Sequence, residues 1–204
     1  DSPKYVWDSA AASGAPHAAT LKAVIDTGKV FMDVVDGAVE LVGLCLDSTS
    51  AYAEAGGQVA DVGTISGPDG ASFEVTSVQS FGGYVLHMGV LKSGALETGA
   101  KLECAVDYER RLMISKSHTL THVMNLALHQ VLGDGVSQKG SLVDESKARF
   151  DFSHGQAMTA QECERVEGLV REMVGQQLPV HIETVPLDKA LEINNLRAVF
   201  GERY

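Results

Sequence analysis

Near Asp107 the chain changes its hydrophobic period, and this switch limits the folds open to it more than any other feature. From about Thr20 to Asp107 the residues read as short strands separated by turn signals. Ser72-Phe73-Glu74-Val75-Thr76-Ser77-Val78 alternates apolar and polar side chains, the period of a half-buried strand. Val30-Phe31-Met32 and Val39-Glu40-Leu41-Val42-Gly43-Leu44 flank Asp36-Gly37, a dipeptide of hairpin turns. Ser66-Gly67-Pro68-Asp69-Gly70 marks a further turn, Gly82-Gly83 precedes Tyr84-Val85-Leu86-His87-Met88, and Gly94 and Gly99 punctuate the stretch up to Asp107. Many short strands at this spacing argue for a small barrel or sandwich. Ahead of them, residues 1–19, rich in Ala and Ser with Gly14 and Pro16, read as a linker.

After Asp107 the period moves towards 3.6. Leu120, Val123, Met124, Ala127, Leu128 and Val131 form one apolar stripe, ended by Gly133 and Gly135. At roughly 100° per residue, His118, His122 and His129 fall within about 40° of one another, nearly opposite the centre of that stripe, with Asn125 beside them. The His face is expected to point into solvent or across a cleft. A second helix is expected from Thr159, where Thr159-Ala160-Gln161-Glu162 fits a capping box. It would carry Cys163, Val166, Val170, Met173 and Val174 inward and stop by Leu178-Pro179. Val180 to Val185 alternates as a strand, a short helix follows Pro186, and Leu196 to Phe200 reads as another strand. The second part is therefore α+β.

A chain of 204 residues with 45% hydrophobic content can bury a sizeable core, as one large domain or two small ones. No apolar run approaches the roughly 20 residues of a membrane-spanning helix, and no membrane partner is expected. The start, Asp1-Ser2-Pro3-Lys4-Tyr5-Val6-Trp7-Asp8, lacks the basic and apolar regions of a signal peptide. Cys45, Cys104 and Cys163 form no CxxC pair and leave an odd count, which fits a reducing, cytoplasmic location. The formal net charge of −11 counts against a sequence-independent nucleic-acid binder. Local basic surface could still meet RNA through Arg110, Arg111 and Lys116, or through Lys139, Lys147 and Arg149, although each alone reads first as a solvated surface charge.

His118-Thr119-Leu120-Thr121-His122 puts two imidazoles one helical turn apart on one face, close enough to share a metal ion. Thr119 stands where a metalloprotease helix would place its glutamate, so that base is absent. His129 lies two turns further on, roughly 10 Å from His122, and is a poor third ligand. On the pair alone, a metal site and two surface or core histidines both remain open.

Three segments together carry more. Leu46-Asp47-Ser48-Thr49 runs through Ala53-Glu54-Ala55-Gly56-Gly57-Gln58, Ser117 to His122 comes next, and Gln138 to Val143 precedes Arg149-Phe150-Asp151-Phe152-Ser153-His154. In this order, with Leu196 to Tyr204, they resemble the editing domain of alanyl-tRNA synthetase from about Gly28 to the end of the chain. Ser117, Ala51 and Ala55 depart from residues common at those places in the family. The resemblance implies an α+β architecture: a small β-barrel over residues 20–107, then an α/β editing core over residues 108–204 that carries the HxxxH helix. It implies His118 and His122 as two of four zinc ligands, the other two belonging to a Cys-Gly-Gly-Thr-His segment that this sequence does not contain. The chain is then expected to be a piece of a longer, ATP-binding synthetase, with the rest of that parent and the alanine tRNA 3′ end as partners.

The implied reaction is hydrolysis of serine or glycine esters on alanine tRNA. By resemblance, and because they are polar side chains near a Gly-rich turn, Thr49 and Gln58 are the candidates for the serine pocket and ester positioning, with Thr121 as a further hydroxyl. Gly56 and Gly57 are read as serving backbone geometry or close approach. Lys139 and Arg149 are the candidates for phosphate or the tRNA end. Two other readings stay open, a non-catalytic tRNA-contacting module and a free-standing trans-editing hydrolase.

Overall fold

In a computed structural model, residues 2–26, 31–37, 41–183, 185–194 and 196 are described. After a 3-10 turn at Ser2–Tyr5 come β1 (His17–Asp26), β2 (Phe31–Met32), β3 (Val34–Asp36), β4 (Val42–Leu46), β5 (Gly63–Ser66), β6 (Ser72–Phe81), β7 (Tyr84–Ser93), β8 (Ala95–Glu97) and β9 (Lys101–Val106). Antiparallel pairing runs β1-β4-β7-β6-β5-β9, and β9 returns to β1 through His17–Thr20, so the sheet closes into a barrel. Closure removes the unpaired edges of an open sheet. Inward residues fill the interior: Leu21, Val24, Leu44, Ile65, Phe73, Val78, Leu91, Leu102 and Cys104 are all buried in one cluster. β6 shows how alternation survives a slip of phase. Phe73 and Val75 point inward, a bulge intervenes between Val75 and Ser77, and Val78 rather than Ser77 takes the next inward place.

The hairpin expected around Asp36-Gly37 does not form between its two flanking segments. Phe31–Met32 adds to one side of β1 while Val42–Leu46 pairs with the other, and Val34–Asp36 joins β8 as a separate ribbon. Long-range pairing wins over the local turn because β1 offers both its edges. Val30 and Val39-Glu40 lie outside the described residues. The boundary drawn after residue 19 falls inside β1, and the preceding segment packs on the helix beyond the barrel: Trp7 stacks on Tyr108, 5.7 Å between ring centroids.

That helix, α1 (Tyr108–Leu132), begins one residue past β9 with Asp107 as N-cap, its carboxylate accepting from the Arg110 amide. A hairpin of β10 (Gln138–Val143) and β11 (Ala148–Phe152) comes next, then α2 (Ala160–Gly175) and the short α3 (Leu187–Leu191). The capping box at Thr159 is formed by both of its hydrogen bonds. Met124, Ala127, Leu128 and Val131 of α1 pack with Val136, Phe150, Phe152, Val166, Leu169 and Val170 into a second core. The architecture is a barrel followed by an α/β core, as expected.

Parts of the C-terminal reading are corrected. Cys163 and Val174 are exposed, because α2 meets α1 along a narrow stripe centred on Val166. Residues 180–183 form no strand: among the described residues nothing pairs with them, and an extended segment gains a strand only by pairing. Thr184, Asn195 and the strand and motif expected across residues 197–204 lie outside the described residues.

Candidate functional site

The turn Ala55-Gly56-Gly57-Gln58 is closed by reciprocal backbone hydrogen bonds between Ala55 and Gln58. Gly56 and Gly57 have φ of 60° and 80°, values that a two-residue turn of the primed type requires and that glycine adopts without strain. A Cβ on Gly57 would also collide with Ser141. β10 clamps this turn from the other side: the Val143 amide donates to Gly57 O at 2.7 Å, the Val59 amide to Val143 O at 3.0 Å, and Ser141 Oγ to Gly56 O at 3.1 Å. The Tyr52 hydroxyl donates to Ala55 O, and burial, with the charges of Tyr5 and Asp61, pushes its pKa up to about 12.

The clamped turn delivers Gln58, itself buried, to α1. His118 Nδ1 lies 2.7 Å from Gln58 Oε1. An amide oxygen only accepts, so Nδ1 carries the hydrogen and Nε2 keeps its lone pair. Burial, then the neighbouring His122, holds His118 below the ordinary imidazole pKa, which favours the neutral ligand form. His122 is exposed one turn further on, its ring 5.5 Å from that of His118 and inclined by 15°. The His face therefore meets the Gly-Gly-Gln turn directly at His118 and opens to solvent at His122. Gly56 borders it: a Cβ there would lie 3.6 Å from His118 Cε1.

This pair fits two donors of a metal site, including the outer hydrogen bond that metal-binding histidines usually make. Among the described residues no group of three or more His, Cys, Asp or Glu side chains gathers around it.

The other expected site residues are spread more widely. Thr121 is buried, and its hydroxyl donates to His118 O at 2.7 Å, bracing the turn between the two imidazoles. Thr49 is bound within the barrel end, 2.8 Å from His87 Nε2, and accepts from the Ala51 amide. Among the described residues no hydrogen bond joins Thr49 to Gln58 or His118. Lys139 and Arg149 are exposed on the β10–β11 hairpin, and Arg149 pairs with Asp151. Of the other basic candidates, Arg111 is withdrawn from any RNA surface. It is 4% exposed and donates to Asp61 Oδ2, Ser50 O and Lys4 O, with its guanidinium 5.7 Å from the Trp7 ring and 5.0 Å from the Tyr108 ring. Arg110 reaches Ala60 O and Glu145.

Sequence reasoning missed two residues. Ser141 locks the turn, a role that its place in the Gln138 to Val143 segment does not reveal. His87, 1% exposed, donates from Nδ1 to Leu44 O and receives the Thr49 hydroxyl, and burial lowers its pKa. Its place in phase with Gly89 and Leu91 on β7 was the available signal.

A family profile described as "tRNA synthetases class II (A)" matches residues 8–110. The cytoplasmic alanine–tRNA ligase of Dictyostelium discoideum is 44% identical over 181 residues, 87% of this chain and 19% of the relative. The alanine–tRNA ligase of Candida albicans is 46% identical and the mitochondrial one of Saccharomyces cerevisiae 44%, each over 177 residues, 87% of this chain and 18% of the relative. The chain thus spans about a fifth of the length of these relatives.

Proposed function

The chain belongs to the alanine–tRNA ligase family, and from that premise we propose that it carries one face of an editing site, which hydrolyses serine or glycine esters of alanine tRNA in the whole ligase. The need for such a site is physical. A pocket for alanine cannot strongly exclude the smaller glycine or the similar serine, since differences of this size give only about 1–3 kcal/mol. A second, hydrolytic sieve restores fidelity.

The observation that carries the reading is the Gln58–His118 hydrogen bond with His122 stacked one turn away. In this reading His118 and His122 hold zinc, with further donors from outside the described residues. Bound zinc would polarise the ester carbonyl or a water, or orient the substrate. Gln58 keeps the proton on His118 Nδ1 and so leaves Nε2 available. Thr121 positions the two imidazoles through the His118 carbonyl. A Cβ on Gly56 would lie in van der Waals contact with His118 Cε1 and Nε2, so glycine there keeps that side of the imidazole uncovered. Thr49 donates its hydroxyl hydrogen to His87 and accepts from Ala51, so it would receive a serine hydroxyl as an acceptor. Lys139 and Arg149 would meet phosphate along the hairpin that clamps the turn.

The cysteine usage and the Dictyostelium relative favour the cytoplasm, although the Saccharomyces relative is named mitochondrial. Among the described residues no helix is long and apolar enough to cross a membrane.

The test is deacylation of serine-charged alanine tRNA, with added zinc and again with a chelator. Zinc-dependent loss of serine with alanine retained is the expected result for the whole ligase, and His118→Ala or His122→Ala should abolish it. Full deacylation by both variants would overturn the reading. For the 204-residue chain alone, binding without deacylation would favour a tRNA-contacting scaffold whose chemistry needs the remaining donors.

A further inference from the structure

The β6–β7 hairpin runs out beyond the barrel core. Both strands are ten residues long and stay paired to their last couple, Phe81 opposite Tyr84. Burial stops earlier: Val78 and His87 are buried, while Gln79, Ser80, Phe81 and Tyr84 are exposed. Phe81 is 58% exposed and Tyr84 71%. Gly82 and Gly83 join them with φ of 57° and 89°, the tight primed turn of a two-residue hairpin. The two rings are therefore presented by a short, defined turn. Among the described residues neither ring stacks on another.

Charge sets this finger apart. From Val75 to Leu91 the sequence holds no Asp, Glu, Lys or Arg, in a chain of net charge −11. A polyanion approaching the outer part of the hairpin meets no carboxylate there; Glu74, nearer the barrel, is exposed and paired with Lys92 at 2.6 Å.

Its position also bears on the candidate site. The loop that ends in Gln58 rests on the base of this hairpin: the Glu54 amide donates to Val78 O at 2.9 Å, and Thr49 bonds His87. Val78 and His87 are cross-strand partners. Phe81 lies three residues beyond Val78, about 10 Å along the strand, and by the strand's alternation on the face opposite to Val78 and His87. Three or four unpaired nucleotides, stacked at about 3.4 Å each, span a similar length.

We infer that Phe81 and Tyr84 form a stacking platform for the unpaired 3′ nucleotides of tRNA. The inference rests on the editing reading above and deepens it by stating how an acidic chain holds RNA near the His pair. Counterion release by lysine and arginine is weakly available to a protein of this charge. Stacking needs only an exposed π-face, and each base contributes roughly 5- to 150-fold in affinity.

The experiment uses this chain and two RNA hairpins of the alanine-tRNA acceptor stem. One ends in unpaired 3′ nucleotides with 2-aminopurine among them, and the other is blunt. The overhang probe should bind with quenched 2-aminopurine fluorescence. Phe81→Ala and Tyr84→Ala should each weaken it by roughly 5- to 150-fold, and Phe81→Trp should bind like the parent. Binding of the blunt probe should not change. Circular dichroism and thermal melting confirm that the exposed substitutions leave the fold intact.

Undiminished binding by both alanine variants overturns the platform, as does failure of the parent chain to distinguish the two probes. In that case, an unchanged deacylation KM in the same variants of the whole ligase would leave the editing reading standing. Conversely, overhang binding that needs both rings, from a ligase that never deacylates, would preserve the platform and sink the editing reading.

Discussion

At the scale of single residues, the decisive contact is one amide oxygen on one imidazole. Gln58 was legible as a polar residue after two glycines; that it faces His118 was not, because 60 residues separate them. If Gln58 fixes the tautomer of His118, then Gln58→Leu should weaken zinc binding by about 10–100-fold, and Gln58→Glu, which keeps an acceptor, should largely restore it. Competition against a chromophoric chelator measures both, and equal affinities for parent and Leu variant would refute the role. His87 carries a second prediction. Its folded-state pKa is lowered by burial, so the unfolded chain takes up the proton first as pH falls. Stability should therefore hold above the ordinary histidine pKa of about 6.5 and decline below it, at up to about 1.4 kcal/mol per pH unit for this group. His118 shifts in the same direction and adds to the slope. Urea unfolding between pH 8 and 5 should show the decline, and His87→Gln should flatten it; an unchanged slope in the variant would assign the effect elsewhere.

At the scale of elements, local signals were read well where they acted alone. The Thr159 capping box formed as written because all its atoms lie within four residues. Removing it with Thr159→Ala should cost about 1 kcal/mol, seen as a lower urea midpoint with the same slope. A rise in stability would contradict the cap. Alternation placed the barrel strands, yet partner choice escaped it: β2 and β4 look like two arms of one hairpin, and only the closed barrel sends them to opposite sides of β1. α1 taught a similar lesson. Its apolar stripe was visible, but Thr121 and Asn125 on the other side are also buried. A helix sandwiched between a barrel loop and a second core needs two covered faces, and Thr121 and Asn125 line the one turned from the apolar stripe.

At the scale of the whole molecule, the question is what makes a barrel and an α/β core one body. The period switch at Asp107 located the seam but not what fastens it. Arg111, on the first turn of α1, is 4% exposed and Asp61, on the loop before β5, is 2% exposed. Asp61 Oδ2 receives Arg111 Nε at 3.0 Å and the Tyr52 amide at 2.6 Å, while a second Arg111 nitrogen donates to Ser50 O. The N-terminal segment joins through Lys4 O and the Trp7 ring. One ion pair thus ties the loop leading to the Gly-Gly-Gln turn, the helix of the His pair and the N-terminal segment. Burying both charges costs desolvation, so the pair by itself adds little; removing one partner strands the other, at about 3–5 kcal/mol. Asp61→Ala should therefore destabilise by that amount. It should also uncouple the parts, so that unfolding followed by the single tryptophan, Trp7, precedes loss of the barrel's β signal in circular dichroism. Arg111→Met with Asp61→Asn, which leaves no unpaired charge, should recover much of the loss. If Asp61→Ala melts in one transition at the parent temperature, the seam is held by the backbone contacts of Gly57, Val59 and Val143 instead.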